Sequence, residues 1–546
     1  MGAPTSLRLK SELLPGGLDQ AIKHLSERIR SNPKDNFLED LAQLGRLRQA
    51  SMSNHRRSGA VFTPYAIAEE IVKFVDLRKG DTVCDPAVGP GVFLLAAAER
   101  KMQLGESVSS ICATLRGVDL DLVSIEVARA TLQLWAAWRG GVWPETDRLL
   151  VGDGLLDIPD EWHGTCDVVI GNPPYLGQLK AETTRSKRRA ELLRQEFTSV
   201  YGTYIDESML FLVKGTELAS PSGRVALIIP ASLAGSKSTQ IAREWIDRKL
   251  PLQSIWVGGR SIFDIAAVDV VAPLLAGTTR DNCTVILRDP PSSVELSTPD
   301  PGCWSALLAG ANDVPIIDLD KTYRVKDVAA VTADFRDAYY WLADRVVEGS
   351  SSDPRPKLAT VGLIDPFLFM HGKITSRFAK QRFQYPVLEI EGNPPESFQR
   401  WLDSKTAPKL LVATQTRIVE CFADAQGRLL PSTPLLSVVP ADAGVLWHLL
   451  AAIMSPPAAA WLIANAAGTG LSGETIRIRA SLLSDLPLPE KSPAWDEGAA
   501  LAQKLQEKQC HIDEFINFAE LMNQAYNSTS EGLLTWWIDQ IQKKLP

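Results

Sequence analysis

The turn Asn172-Pro173-Pro174-Tyr175 has the residue types needed to hold a planar group that carries an NH2. It follows a β-branched apolar run, which predicts a buried strand of a parallel sheet. The two prolines fix φ at consecutive positions, and proline also drives the preceding asparagine into an extended conformation. The amide oxygen of Asn172 and the carbonyl of Pro173 are therefore expected at the end of that strand, with the ring of Tyr175 close behind.

Three earlier strand-like runs also end in a polar residue, namely Asp85, Asp119 and Asp153. In an open parallel sheet the carboxyl ends of the strands share one edge, and ligands bind at that edge. A single aspartate after a strand is more often a turn or a helix cap. Four polar strand ends in succession, counting Asn172, favour a binding site instead.

Two glycines make the first of these strand ends suitable for a nucleotide-like ligand. Gly89 and Gly91 allow a ligand to approach the backbone closely, and the helix predicted from about Val92 offers free N–H groups. Asp119, at the end of the next strand, can take both hydroxyls of a ribose, as in other nucleotide-binding α/β sheets. The spacing therefore predicts a βαβ unit that binds a cofactor.

The elements that must position these residues follow from hydrophobic periodicity. Leucine and isoleucine recur at helical spacing before residue 50, which predicts a helical arm packed on the domain that comes next in the chain. Thr63 and Pro64 predict a helix start, with the threonine as cap and the proline at the first helical position. Further strands are predicted at 224–229, 254–257 and 268–275.

Three motifs appear in a fixed order: Phe62-Thr63-Pro64, then Asp85-Pro86-x-x-Gly89-x-Gly91-x-Phe93, then Asn172-Pro173-Pro174-Tyr175. This order resembles the gamma class of N6-adenine DNA methyltransferases over roughly residues 50 to 280. The resemblance implies the α/β fold of class I S-adenosylmethionine-dependent methyltransferases, a Rossmann-like, mostly parallel sheet. It also implies an α+β target-recognition region toward the carboxyl end, followed by terminal helices.

The resemblance further implies a role for individual residues. The turn from Asn172 to Tyr175 would be catalytic, with Tyr175 stacking on a flipped-out adenine and Phe263 packing on the base's other face. Asp153 would accept a hydrogen bond from the amino group of the cofactor's adenine, and Asp119 would bind its ribose. The implied S-adenosylmethionine site consists of Phe62, Thr63, Pro64, Asp85, Pro86, Gly89, Gly91, Asp119 and Asp153.

Two basic segments are candidates for contact with double-stranded DNA. The net charge is −8 and the isoelectric point about 5.5, so any basic surface must be local. The alternative for such a charge run is a solvated helix face. The predicted DNA-contacting residues are Lys180, Arg185, Lys187, Arg188, Arg189, Lys373, Arg377, Lys380 and Arg382.

Composition and motif order predict four regions. Residues 1–50 are expected to form the helical arm, 51–288 the methyltransferase domain, 303–490 the target-recognition domain and 491–546 a helical segment. The proline- and serine-rich stretch from 289 to 302 is interpreted as a linker.

The remaining composition argues against several other classes. The seven cysteines include no CxxC pair and the six histidines no HxxxH pair, so no zinc or other metal site is predicted. The scattered cysteines suggest reduced thiols in a cytoplasmic protein. No run of about eighteen apolar residues is present, so no membrane span is expected.

The residues leave several functions open. Methylation of cytosine N4 uses a similar turn, as do enzymes that act on RNA or on protein glutamine, and a DNA-binding subunit without turnover could keep the fold. The long region after the turn favours adenine in duplex DNA. No PD…(D/E)xK nuclease arrangement is found, so restriction is expected to need a separate restriction or defence subunit.

Overall fold

The computed structural model describes most of the chain as two compact units, Met1–Leu307 and Leu308–Pro546. The described residues are 16–30, 37–51, 62–144, 147–175, 187–202, 205–259, 262, 269–278, 280–320, 322–333, 336–390, 396–468, 476–508, 511–530 and 532–544. Among them no single helix is both long and apolar enough to cross a membrane.

The first unit is built on one ten-stranded sheet. Its strands are β1 Val83–Asp85, β2 Leu115–Asp119, β3 Leu149–Val151, β4 Cys166–Gly171, β5 Ala219–Leu227, β6 Ile229–Pro230, β7 Leu252–Gly259, β8 Val270–Ala276, β9 Asn282–Arg288 and β10 Pro291–Ser297. Their order is β3-β2-β1-β4-β5-β8-β7-β9-β10, and β6 also pairs with β8.

The part of the sheet from β3 to β5 is entirely parallel, with the short strand β1 at its centre. Strand β8 is antiparallel to both β5 and β7, so the whole sheet is mixed but mostly parallel. This confirms the predicted Rossmann-like α/β class. Because β1, β2, β3 and β4 all run the same way, their polar carboxyl ends lie along one edge.

Helices connect these strands and cover the sheet. They are α1 Gly16–Arg30, α2 Phe37–Ser51, α3 Tyr65–Phe74, α4 Val92–Gln103, α5 Val108–Thr114, α6 Leu122–Trp138, α7 Lys187–Glu196, α8 Glu207–Leu218, α9 Gln240–Lys249 and α10 Ser305–Gly310. The predicted apolar face of α3 is buried, as are most side chains of α4 and α6. Helices α1 and α2 confirm the predicted amino-terminal helices.

The linker predicted at 289–302 is wrong, because this stretch contains strand β10. All seven residues of β10 pair antiparallel with β9, from Pro291 opposite Arg288 to Ser297 opposite Asn282. Val294 and Leu296 alternate with exposed polar residues and are partly buried. The period-two alternation therefore decides the structure of this segment, although its proline and serine content suggests a loop.

The second unit combines two four-stranded sheets with three two-stranded ones. Its strands are β11 Ala329–Ala333, β12 Val346–Glu348, β13 Lys357–Ala359, β14 Ile364–Asp365, β15 Leu368–Phe369, β16 Ser376–Phe378, β17 Gln381–Phe383, β18 Pro386–Leu388, β19 Lys409–Val412, β20 Gln415–Thr416, β21 Cys421–Asp424, β22 Leu429–Pro431, β23 Leu436–Pro440 and β24 Ile476–Arg477.

Helices close this second unit, and three of them form its carboxyl end as predicted. They are α11 Arg336–Ala343, α12 Glu396–Lys405, α13 Leu446–Met454, α14 Pro456–Ala466, α15 Ala480–Ser484, α16 Pro493–Glu507, α17 Ile512–Ala525 and α18 Leu533–Gln542. Trp537 of α18 is fully buried in the core of the unit. The unit therefore has the predicted α+β character with terminal helices.

Candidate active site

The carboxyl edge of the sheet in the first unit brings the predicted strand ends together. Asp85 ends β1, Asp119 ends β2, and Asn172 directly follows β4. Asp153 lies two residues beyond β3, and the neighbouring Gly152 N–H donates to the carbonyl of Asp119 at 2.9 Å. The edge therefore carries three carboxylates and one amide, all supplied by adjacent strands.

Asp85 is the most deeply buried of these acids, with an exposed fraction of 1%. Its Oδ1 accepts a hydrogen bond from the N–H of Ala87 at 3.0 Å, whereas its buried Oδ2 has no partner among the described residues. Burial raises the pKa of Asp85 to about 8, and the nearby charge of Asp119 adds to that shift. A buried polar oxygen without a hydrogen-bond partner is costly, so this oxygen is suited to a ligand that brings a partner.

Gly171 makes room for Asp85 at the base of the turn from Asn172 to Tyr175. A Cβ built on Gly171 would lie 2.5 Å from Oδ1 of Asp85. Since real Cβ atoms do not approach so closely, any side chain at this position would displace the carboxylate. The position of the Asp85 carboxylate at the end of β1 therefore requires a glycine at position 171, the end of β4.

The glycine loop after β1 folds back onto the acid at the end of β2. The N–H of Gly89 donates to Oδ2 of Asp119 at 2.9 Å, and the N–H of Asp121 donates to its Oδ1 at 2.8 Å. Gly91 adopts φ 87° as the residue before α4, in the left-handed region that glycine favours. Burial raises the pKa of Asp119 to about 6, although these two N–H groups oppose the shift.

Helix α2 lies against the same loop. A Cβ on Gly45 would lie 3.1 Å from the ring of Phe62 and 3.3 Å from Pro90. One turn later, Arg48 forms an ion pair of 2.7 Å with Asp121, the residue that caps α6. The amino-terminal arm is therefore part of the wall around the candidate site.

The amide of Asn172 is held from both sides. Its Nδ2 donates to the hydroxyl of Thr63 at 3.0 Å, and its Oδ1 accepts from the hydroxyl of Tyr175 at 2.6 Å. Burial raises the pKa of Tyr175 well above its ordinary value, so the phenol is a hydrogen-bond donor at neutral pH. The amide oxygen consequently faces Tyr175 and the amide nitrogen faces Thr63.

The prediction that Thr63 caps a helix is wrong. Helix α3 begins at Tyr65, its N-cap residue is Pro64, and no side chain caps it. The hydroxyl of Thr63 forms the long-range bond to Asn172 instead, and the residues next to Thr63 in the sequence give no sign of that bond.

Asp153 is paired with an arginine from the first predicted DNA-contacting segment. Arg189 of α7 donates from Nε to Oδ2 of Asp153 at 2.6 Å. The same guanidinium bonds both carboxylate oxygens of Glu207, at 2.7 and 3.2 Å. Glu207 is buried, with an exposed fraction of 1%, so Arg189 neutralises two buried acids at the sheet edge. Lys187 and Arg188, on the same helix, are exposed.

The four basic residues predicted in the second unit are all exposed, and three of them belong to one hairpin. Strands β16 and β17 form a hairpin in which Arg377 pairs directly with Arg382, and Lys380 sits in its two-residue turn. Phe378 and Phe383 anchor this hairpin in a hydrophobic cluster. Lys373, Arg377, Lys380 and Arg382 are exposed and, among the described residues, have no ion-pair partner.

Other predicted residues lie outside the described part of the chain. These are the base-stacking candidate Phe263 and the basic residues Lys180 and Arg185. Conversely, sequence reasoning missed Glu207 and Leu120. Leu120, which directly follows Asp119, is 64% exposed. A bulky apolar residue directly after a polar strand end is the sequence signal that could have identified it.

One segment of the chain matches a known protein family. Residues 45–272 match the N-6 DNA Methylase family, a segment that begins in α2 and ends in β8. Type II methyltransferase M.BstVI of Geobacillus stearothermophilus is 27% identical over 194 residues, which cover 32% of this chain and 34% of that protein. The methylase subunit of type I restriction enzyme MjaVII of Methanocaldococcus jannaschii is 30% identical over 226 residues, which cover 39% and 36% of the two chains.

One solved structure resembles the chain over most of its length. The type IIL restriction-modification enzyme MmeI, determined in complex with DNA, aligns with a TM-score of 0.57 at 12% identity and covers 96% of this chain and 78% of its own. At that identity the likeness concerns the fold. The chain spans only about a third of the length of the curated relatives it matches. The carboxyl edge of the sheet thus lies within a segment that is similar to N-6 DNA methylases.

Proposed function

We propose that the chain is a site-specific DNA methyltransferase that methylates N6 of a flipped-out adenine in duplex DNA. The single observation that carries this proposal is the amide of Asn172, clamped between Thr63 and Tyr175 beside the acids of the sheet edge. The match of residues 45–272 to N-6 DNA methylases supports adenine as the base. No contact in the described residues favours cytosine N4 or a protein substrate.

The residues at the edge fit S-adenosylmethionine as the methyl donor. The unpartnered Oδ2 of Asp85 offers an acceptor to a donor group of the cofactor, and Asp119 offers its carboxylate to the ribose hydroxyls. Leu120 supplies an exposed apolar surface suited to a ring. When bound, this cofactor supplies a methyl group that is already activated by a sulfonium charge.

The chain's own contribution is to prepare the amino nitrogen of the base. That nitrogen is a poor nucleophile because its lone pair is delocalised into the ring. Oδ1 of Asn172 and the carbonyl of Pro173 can accept its two N–H bonds, which localises the lone pair. An amide oxygen has two lone pairs, so Oδ1 can accept from both the base and Tyr175. Positioning and electrostatics of this kind need no strong general base.

The phenol ring of Tyr175 can offset the cost of extruding the base. Flipping a nucleotide costs a few kcal/mol, and stacking of a base on an aromatic ring contributes about 1–3 kcal/mol. Tyr175 is only partly buried, so part of its surface is exposed at the proposed site. Phe263 stays a prediction for the opposite face.

The biological setting is proposed to be restriction-modification or a related phage-defence system. By name, the MjaVII relative is the methylase subunit of a type I restriction enzyme, and M.BstVI is a type II methyltransferase. We therefore propose double-stranded DNA as the substrate and a separate restriction or defence subunit as a partner. The exposed basic hairpin β16–β17 is the proposed DNA contact in the second unit.

A labelled-methyl transfer assay tests the proposed activity. The Asn172→Ala variant is expected to lose methyl transfer to unmodified genomic DNA by a factor of about 100 or more, as after loss of a main electrostatic contact. Its affinity for S-adenosylhomocysteine, measured by calorimetry, should stay within about twofold of the unsubstituted protein, because the amide does not bind the cofactor.

Two results would contradict this proposal. One is an Asn172→Ala variant that transfers methyl groups at the normal rate. The other is transfer by the unsubstituted protein to cytosine, which sequencing of the modified bases would reveal.

A further inference from the structure

We infer that Thr63 is a positioning residue that fixes the amide orientation of Asn172, an inference that rests on the proposed function. Thr63 lies 109 residues before Asn172 in the sequence, yet its hydroxyl accepts from Nδ2 at 3.0 Å. The exposed fraction of Thr63 is 4%, so water does not compete freely for this bond. The resemblance implies a different role for this threonine, a contact to the methionine part of the cofactor.

The orientation of this amide matters because its two ends have opposite hydrogen-bonding character. The oxygen only accepts and the nitrogen only donates. The amino group of a base also donates, so it can be held only when the amide oxygen faces it. Rotation of the amide by half a turn would set two NH2 groups against each other, leaving both without an acceptor.

Thr63 and Tyr175 together hold the amide in the productive orientation. The donor-only amino group of the base selects the amide oxygen, and Tyr175 donates to that same Oδ1. The nitrogen then lies on the opposite side, where the hydroxyl of Thr63 accepts from Nδ2. Of these two residues, Tyr175 is also proposed to stack on the base, whereas Thr63 reaches the reaction only through Asn172. Loss of its hydroxyl would therefore lower the population of the productive amide and leave the stacking ring in place.

The position of Thr63 is set by neighbouring backbone rather than by its own helix. Pro64 takes φ −59° and ψ 145°, so the chain is still extended at this proline and turns into α3 only at Tyr65. This extended entry, flanked by α2 through Phe62, places the hydroxyl beside the end of β4. The Phe62-Thr63-Pro64 motif thus supports the catalytic turn from the side.

A pair of substitutions separates the positioning role from the cofactor role. Thr63→Val keeps the shape and removes the hydroxyl, whereas Thr63→Ser keeps the hydroxyl. We expect Thr63→Val to lower the single-turnover rate of methyl transfer to unmodified genomic DNA by about three- to tenfold, the effect of one hydrogen bond. KM for DNA and the dissociation constant for S-adenosylhomocysteine should change by less than about twofold, and Thr63→Ser should recover most of the rate.

Each other outcome overturns the inference. An unchanged rate in Thr63→Val means that the bond does not orient the amide. A loss of S-adenosylhomocysteine affinity with an unchanged rate at saturating cofactor assigns the hydroxyl to the cofactor instead. Thr63→Ala is measured in parallel and is expected to behave like Thr63→Val, so the test does not depend on one variant folding. If the unsubstituted protein transfers no methyl groups, the proposed function itself is contradicted. The Thr63 variants cannot give that result, so the two kinds of failure are distinguishable.

Discussion

The two basic segments predicted to contact DNA use their charges in opposite ways. In α7 of the first unit, Arg189 is bound to Asp153 and Glu207, two acids buried at the catalytic edge. In the β16–β17 hairpin of the second unit, Arg377 and Arg382 stand side by side in solvent. A run of lysine and arginine therefore does not reveal whether its charges neutralise the protein's own acids or remain available to a partner.

The difference has a physical origin in burial. Two carboxylates at a strand edge need a partner because an unpaired buried charge is strongly destabilising. Like charges placed opposite each other on a hairpin are instead mildly unfavourable for folding. An exposed pair of like charges on a hairpin is suited to bind an anion such as DNA phosphate, which would offset their repulsion. Burial thus distinguishes a charge that supports the fold from charges that serve the proposed substrate.

The largest expected effect comes from removing the partly buried guanidinium of Arg189. Arg189→Met should lower the free energy of unfolding by about 3 kcal/mol, because it removes a cation that is bound to the buried carboxylates of Asp153 and Glu207. Denaturant titration followed by tryptophan fluorescence measures this loss. The matched control is Arg188→Met, whose exposed side chain should change stability by less than about 0.5 kcal/mol. Equal effects of the two substitutions would remove the distinction between the two segments.

The next effect concerns DNA binding by the hairpin. The test protein has alanine in place of Arg377, Lys380 and Arg382. The slope of the logarithm of its DNA affinity against the logarithm of the salt concentration should be shallower by about 2–3, because each phosphate contact contributes about 0.9 to that slope. Fluorescence anisotropy at several salt concentrations measures the slope. The free energy of unfolding should stay within about 0.5 kcal/mol of the unsubstituted protein. An unchanged slope would show that the hairpin is only a solvated surface.

The smallest effect tests the backbone that presents these charges. The turn residues Ala379 and Lys380 have φ values of 46° and 67°, a conformation that side chains disfavour and glycine tolerates. Ala379→Gly should therefore raise the free energy of unfolding by about 0.5 kcal/mol. The salt slope should not change, since no charge is removed. Destabilisation by this glycine would mean that the turn is not under backbone strain.

Much of the catalytic edge could be predicted because its signals are local. Short buried strands that end at Asp85 and Asp119, or directly before Asn172, define the strand ends, and parallel pairing then brings those ends together. What could not be predicted depends on residues far apart in sequence. Thr63 has the local features of a helix cap, yet its side chain bonds to Asn172. Arg189 has the local features of a surface charge, yet its partners are Asp153 and Glu207.

The 289–302 segment shows a different source of error. Its proline and serine content is typical of a loop, whereas its alternation of Val294 and Leu296 with polar residues fits an edge strand. Pairing with β9 supplies the backbone hydrogen bonds that decide between the two. Composition averages over such alternation and so cannot detect it.

The contact between α2 and the glycine loop bears on how the first unit of this chain could be recombined with other proteins. Arg48 reaches Asp121, Gly45 lies against Phe62 and Pro90, and Phe37 lies 5.3 Å from Trp138 of α6 between ring centres. A catalytic module grafted onto a different recognition domain should therefore begin at or before Phe37. A graft that begins at the Phe62-Thr63-Pro64 motif would keep every motif residue and still lose one wall of the cofactor loop.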